Sequence, residues 1–400
     1  MFKKLFSAVL CCSLILVPWS STFAASSTDA WSVGTYYKDG YISGLIGSVD
    51  TTDDAITAAD FYGSMGYKSA YSTSPTYQIM RGRFSNNNYR MESAVQFYSG
   101  HANNECIAYN YNNSGGDYKT GVYYGSNYDS SKGYKYAGIK SYNLNSVKLI
   151  TFAGCNTATN GDDNIVAAAH NAGATTTIGW TESIGSGSHS NWLKRYNDYL
   201  NKGYTVSKAI SHADSFSYLD NKVKKHKVYG NKNLTLTSSK RVLNNDYPER
   251  ETFTINYNDE VEVFDKIKNF NTEFKIDNYI VEEIVNDSGK IYDLYLLKDG
   301  YKTLDGYTII LTEGKAEVYR NNSYDELSET IIPKNINSLS YLESDVLNNV
   351  RITTGDEGNY NILSKEIILD VSNSRKVMYY RIENVLDNGA KAVIEYYEEV

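Results

Sequence analysis

Between residues 41 and 236, short apolar runs alternate with stretches in which apolar residues recur every three or four positions. Short runs bounded by turn residues are typical of buried strands, and the longer periodic stretches are typical of helices. Strands joined by helices in this way indicate an α/β domain around a parallel sheet. The predicted strands cover residues 41–48, 67–71, 94–98, 147–153, 174–180 and 226–229. The pattern therefore predicts six strands.

The rest of the chain has a different pattern. Residues 106–142 are rich in Tyr, Gly and Asn with repeated turn signals, which indicates antiparallel hairpins outside the main sheet. Residues 238–250 are polar and are predicted to form a linker. Residues 251–400 alternate apolar and polar positions and contain turn dipeptides such as Asn388-Gly389, which favours an antiparallel β-rich α+β domain. We therefore expect residues 25–237 and 251–400 to form separate domains.

The first 24 residues have the pattern of an export signal: two lysines, an apolar run, then small residues ending at Ala24. The mature chain is thus expected to be secreted. No later segment approaches about 20 apolar residues, so no membrane span is predicted.

Charge divides the mature chain into two parts. The full chain has a net charge of −8, and losing the two signal lysines makes it −10, which argues against a nucleic-acid partner. Residues 25–250 carry +4 and residues 251–400 carry −14. Such a difference is compatible with the acidic domain docking on the basic one and covering its cleft.

Only two cysteines remain in the mature chain, Cys106 and Cys155. Cys155 follows the fourth predicted strand, and His101 follows the third. In an open parallel sheet, groups at the carboxyl ends of neighbouring strands face one cleft. An imidazole near a thiol can take its proton and later protonate a leaving amine. A structural Cys106–Cys155 disulfide is the alternative, and it would block that chemistry.

Two segments resemble sequence boxes of a known family. VQFYSGHANN (95–104) and VKLITFAGCNTA (147–158) look like the His-Gly and Ala-Cys boxes of caspase-like (clan CD) cysteine peptidases, closest to the CHAT, gingipain-like and clostripain-like branches. Three further segments, 171–184, 199–213 and 227–236, are similar to later parts of that domain, in the family's order.

The resemblance implies a six-stranded, mostly parallel sheet between helices and a covalent acyl-enzyme on the cysteine. Cys155 would be the nucleophile and His101 the acid and base, with the N–H groups of Ala102 and Cys155 as oxyanion hole. Two positions depart from the family. Ala102 stands where the family has glycine, and Ala153 stands where metacaspases have an acid.

Related enzymes that cut after Arg or Lys use an acidic residue to bind that side chain. Acidic residues near the predicted strand ends supply the candidates for substrate binding: Asp50, Asp54, Asp162, Asp163 and Glu182. Acids at helix starts also stabilise the helix dipole, so each has an ordinary explanation. The remaining histidines lack metal-ligand spacing, and we expect no metal and no cofactor.

Two functions follow from the sequence. The first is a secreted cysteine endopeptidase that acts on protein or peptide substrates, with possible cleavage after Arg or Lys. The second is a catalytically dead caspase-like surface or matrix binding protein with a Cys106–Cys155 disulfide. The tyrosine-rich insert, Ala102 and the large acidic domain favour the second.

Overall fold

The structure of the 400-residue chain is a computed structural model. It describes residues 28–35, 45–46, 51–73, 75–109, 119–237, 250–287, 289–321, 343–344, 346–347, 350, 359–370 and 375–399. The predicted signal peptide and most of the predicted linker lie outside these ranges.

The strands are numbered in chain order. They are β1 (Asp29–Val33), β2 (Leu45–Ile46), β3 (Lys68–Ser72), β4 (Val95–Ser99), β5 (His101–Ala102), β6 (Cys106–Tyr109), β7 (Thr120–Tyr123), β8 (Tyr128–Asp129), β9 (Lys135–Gly138), β10 (Leu149–Ala153), β11 (Thr176–Trp180), β12 (His226–Gly230), β13 (Thr252–Asn256), β14 (Tyr279–Asn286), β15 (Gly289–Lys298), β16 (Tyr301–Thr312), β17 (Lys315–Asn321), β18 (Asn359–Asp370), β19 (Arg375–Val385) and β20 (Lys391–Glu399). The α-helices are α1 (Thr52–Ser64), α2 (Tyr77–Arg81), α3 (Ile165–Asn171), α4 (Ser186–Asn201), α5 (Val206–Asp214) and α6 (Glu260–Ile267).

The first sheet has six strands in the order β12-β11-β10-β4-β1-β3. All neighbours are parallel except β11 and β12, which are antiparallel. This is the mostly parallel six-stranded sheet that the sequence predicts. Its central strands are fully buried because helices cover both faces, which explains why β4 and β10 carry apolar residues on both faces.

One predicted strand was wrong. Residues 41–48 were expected to form the first strand of this sheet, but that place belongs to β1, which pairs with β3 and β4. All five residues of β1 are buried, although Asp29 and Ser32 interrupt its apolar pattern. Within 41–48 the structure describes only β2, which pairs with β20 in the second sheet. The remainder of that segment lies outside the described residues.

Two apolar cores lie on opposite faces of the first sheet. Helices α1, α4 and α5 contribute one, with Tyr62, Trp192 and Ile210 among its buried side chains. Helix α3 contributes Ile165 and Val166 to the other. Among the described residues, no helix combines the length and apolar character needed to cross a membrane.

Within the part of the chain that the structure describes, the second sheet contains 14 strands, mostly antiparallel, and includes the strands of residues 252–399. This agrees with the predicted β-rich second region. The tyrosine-rich insert also belongs to it, because β5, β6, β7, β8 and β9 continue the sheet beyond β20. The insert lies outside the first sheet as predicted, although β7 and β9 are parallel rather than antiparallel.

A buried ion pair joins the two parts of the chain. Lys224 Nζ lies 2.6 and 2.7 Å from the carboxylate oxygens of Asp293, and neither side chain is exposed to solvent. Thr308 Oγ1 also donates to Asp293. Each of the two buried charges is stabilised by the other, because water cannot reach the pair to replace a missing partner.

We expect Lys224→Met to lower the free energy of unfolding by about 3–5 kcal/mol, because it leaves the Asp293 carboxylate buried without a cation. Urea titration would measure the loss. Lys268→Met is the matched control: its ion pair with Asp265 is largely exposed, and such pairs contribute about 0–1 kcal/mol. Equal effects of the two substitutions would contradict a structural role for the buried pair.

Candidate active site

His101 and Cys155 leave the first sheet at matching positions. β4 and β10 are parallel neighbours in which Ser99 pairs with Ala153, and Gly100 N donates to Ala153 O over 3.2 Å. Each candidate residue therefore lies two positions beyond a paired residue, at the carboxyl edge of the sheet. The structure thus brings the two predicted segments together.

Gly154 allows these two segments to pack directly against each other. A methyl group on Gly154 would come within 2.5 Å of Ala102 Cβ and 2.8 Å of Gly100 O. Neither distance is compatible with van der Waals packing. Glycine is required before Cys155 because the Ala102 methyl group already occupies the adjacent space.

The Cys155 thiol is buried, with 3% of the residue exposed. Ile184 N donates to Sγ over 3.4 Å, and Sγ lies 3.7 Å from Ile184 O. Burial raises the pKa of this thiol to about 11, which the Ile184 N–H opposes only in part. In this conformation Cys155 is therefore a neutral thiol at neutral pH.

The His101 ring is also buried and neutral. Its Nε2 lies 3.4 Å from Nδ2 of Asn384, a residue of β19. Burial lowers the pKa of His101 to about 3. The described conformation thus holds an uncharged imidazole and an uncharged thiol, and a thiolate–imidazolium pair would need water or substrate to enter.

Asp54 is the acidic candidate that the structure places beside Cys155. Both residues contribute to the wall of one cavity of about 40 Å3. The Asp54 carboxylate accepts hydrogen bonds from Ser99 Oγ at 2.9 Å and from Ser190 Oγ at 2.7 Å. These bonds connect α1, β4 and α4 and fix the carboxylate at the cavity.

Three other acidic candidates, Asp162, Asp163 and Glu182, do not line this cavity. Glu182 forms a partly exposed ion pair with Lys225, and Tyr229 donates its hydroxyl proton to Asp162. Asp163 is exposed, and its backbone accepts a hydrogen bond from Asn104. Asp50 lies outside the described residues.

Two polar residues of the cavity wall, Ser186 and His189, were not among the predicted site residues. Both belong to α4, which begins at Ser186. Their spacing of three positions puts both on one face of the first turn. The His189 ring packs edge-on against Trp180 with centroids 4.3 Å apart.

Strand β20 closes the cavity from the second sheet. Lys391 pairs with Ala102, and Val393 forms a bridge with Gly185, so the strand crosses the edge where Cys155 lies. The Val393 side chain is buried in the same apolar cluster as Cys155. We refer to β20 as the covering strand.

Polar contacts anchor the covering strand and its neighbour β19. Ser188 N and Oγ both donate to the Glu395 carboxylate at 2.7 Å. Arg381 lies 3.0 Å from the Asp220 carboxylate. All four residues are largely buried. These contacts hold residues of the second sheet against α4 and the loop before β12.

Cys106 does not form a disulfide with Cys155; both are free and buried. Cys106 lies in β6 beside a separate cavity of about 460 Å3, which tyrosines of the insert and the turn at Asn388 surround. Burial raises the pKa of its thiol to about 12. The two thiols border different cavities. The disulfide of the alternative hypothesis is absent.

Within the described ranges, no group of three or more His, Cys, Asp or Glu side chains could hold a metal ion. No protein-family model matches the chain, and no curated protein matches it. Among solved structures, it is similar to the complex of the pro- and mature domains of RgpB, a gingipain from Porphyromonas gingivalis. The match covers 92% of this chain and 68% of that chain, at 11% identity and a TM-score of 0.33. It is a distant similarity of fold.

Proposed function

We propose that this chain is a secreted cysteine endopeptidase with Cys155 as nucleophile and His101 as general acid and base. The observation that carries the proposal is the placement of both residues at matching positions beyond adjacent parallel strands. A cavity bounded by Cys155 provides room for part of a substrate beside the thiol. The resemblance of the surrounding sequence boxes to caspase-like peptidases supports the same roles.

The proposed reaction proceeds in two steps. His101 accepts the thiol proton, and Cys155 Sγ attacks the peptide carbonyl carbon while its oxygen becomes negative. Backbone N–H groups of Cys155 and Ala102 stabilise that oxygen. His101 then protonates the leaving amine as the C–N bond breaks, which leaves an acyl-thioester. Water activated by His101 hydrolyses the thioester and restores the thiol.

Asp54 is the residue that best supports cleavage after Arg or Lys. Its carboxylate lies at the cavity next to Cys155, where it could pair with a cationic side chain. The proposed substrates are peptides or proteins with a basic residue at the cleavage position.

The covering strand gives this peptidase a latent form. Val393 closes the cavity beside Cys155, and Asn384 contacts the Nε2 atom of His101. A substrate can reach the thiol only after β19 and β20 move away. The proposal thus includes intramolecular docking of the acidic region on the catalytic region.

A binding protein without catalysis is the second candidate. Its support is that β20 pairs with β19 on one side and with β2 and β5 on the other, as an integral strand does. If β20 never moves away from Cys155, the thiol stays inaccessible and the domain has only a structural role. The tyrosine-lined cavity beside Cys106 could then hold its ligand.

Peptide hydrolysis under reducing conditions separates the two candidates. We expect the purified mature chain to cleave a mixed peptide library slowly, and we expect prolonged prior treatment with iodoacetamide to stop the cleavage. Mass spectrometry of the products would identify the bonds cut. No cleavage by either the intact chain or a chain with the covering strand displaced would favour the binding protein.

A further inference from the structure

The cavity beside Cys155 contains two polar groups that lack a hydrogen-bond partner within the described part of the chain. They are Ser186 Oγ and His189 Nε2, and both atoms are buried. His189 as a whole is only 6% exposed. An unsatisfied buried polar group costs stability, so two of them at one cavity indicate that a ligand supplies the missing bonds.

We propose that Ser186 and His189 are specificity-determining residues that, with Asp54, bind the side chain of a lysine at the cleavage position. The inference rests on the proposed peptidase function and narrows its substrate. It assigns roles to two residues of the first turn of α4 that the sequence boxes do not include.

The chemistry of the three groups favours a cation with several N–H donors. The Asp54 carboxylate can only accept hydrogen bonds, and a serine hydroxyl can accept them. Burial lowers the pKa of His189 to about 3, so its ring is neutral at neutral pH and can accept a bond without repelling a cation. An ammonium group has three donors and no acceptor. It therefore matches three acceptor groups around one cavity.

The size of the cavity favours lysine over arginine. The cavity measures about 40 Å3, and a water needs roughly 10–15 Å3 of such space, so it holds about three waters. The ammonium and the last methylene groups of a slender unbranched side chain match a space of this size. The planar guanidinium of arginine is wider and presents its donors in a rigid fork.

The position of the cavity links this binding to the reaction. Cys155 and Gly154 form part of its wall, as do Asp54 and His189. A side chain that fills the cavity therefore holds its own backbone next to Sγ. Val393 of the covering strand lines the same space.

Binding of n-butylammonium chloride to the full mature chain tests the pocket without catalysis. We expect a rise in Tm of about 2 °C at saturating probe, with no rise for n-butanol at the same concentration. His189→Phe, which keeps a ring against Trp180, and Asp54→Asn should each remove the rise. His170→Phe is the matched control, because His170 lies on α3 outside the cavity wall. An equal rise with n-butanol, or an undiminished rise in His189→Phe, would overturn the assignment.

Cleavage preference provides the second measurement. In a chain whose cover is loosened by Glu395→Ala, we expect kcat/KM for a lysyl peptide to exceed that for a leucyl peptide. His189→Phe and Ser186→Ala should each lower this ratio about tenfold, through a higher KM for the lysyl peptide. Cleavage without lysine preference would refute the pocket and leave the peptidase proposal intact. Ammonium binding without any cleavage would refute the peptidase proposal and leave the pocket assignment intact.

Discussion

Replacing Cys155 with alanine is expected to abolish peptide hydrolysis, with a loss of at least about 1,000-fold in kcat. The reason is that no acyl-thioester can form without Sγ, whereas the backbone N–H of residue 155 and the fold of the strand end are retained. Hydrolysis of a fluorogenic basic peptide under reducing conditions would measure the loss.

Cys106→Ala is the matched control for that experiment. Both cysteines are free and buried, but Cys106 borders the tyrosine-lined cavity rather than the one beside Gly154. Its removal should leave kcat within about twofold, the level of a substitution without contact to the reaction. Cleavage that survives in Cys155→Ala and disappears in Cys106→Ala would reverse the assignment of the nucleophile.

Displacing the covering strand is expected to expose the Cys155 thiol. In the intact chain, burial raises its pKa to about 11, so alkylation by iodoacetamide should be slow at pH 7 and should accelerate as pH rises toward 11. Val393→Asp would put a charge against the buried cluster that contains Cys155. Burying an unpaired carboxylate costs several kcal/mol, and about 1.4 kcal/mol changes an equilibrium tenfold, so we expect alkylation at pH 7 to rise about 100-fold.

Peptide mapping by mass spectrometry would give the alkylation rate of each cysteine. Val261→Asp controls for the added charge, because Val261 is 67% exposed on α6. Glu395→Ala provides a milder opening that removes the carboxylate bonded to Ser188, and circular dichroism would verify that each variant is folded. Unchanged protection of Cys155 in both opening variants would mean that β20 does not control access.

The fold of the first sheet could be predicted because its strands are buried on both faces and its helices are periodic. β4 and β10 are buried along their whole length, and the segments that directly follow them carry His101 and Cys155. The local sequence was therefore sufficient to predict that His101 and Cys155 lie at the same edge of the sheet.

The first strand could not be predicted in the same way. β1 is buried between β3 and β4 but contains Asp29, whose carboxylate accepts hydrogen bonds from Asn86 and Asn88. The partners are more than 50 positions away in the chain. Apolar pattern cannot reveal a polar residue that is satisfied by tertiary contacts.

Which strand covers the site, and which residues form the cavity wall, could not be predicted for a related reason. Val393 and Asn384 lie in strands with an ordinary alternating pattern, and nothing local distinguishes the face that meets Cys155 and His101. Overall charge predicted an attraction between the two halves. It could not specify which strand lies over the thiol, because that depends on register and packing between distant elements.

The pairing of Lys391 with Ala102 joins positions roughly 290 residues apart, and contacts between such distant positions form slowly. The first sheet depends on closer pairings, such as Ser99 with Ala153. During refolding, the nucleophile and its histidine should therefore reach their places before the covering strand arrives. During refolding there would be a period in which the active sites are formed but not yet covered by β20. In that period one chain could cleave another.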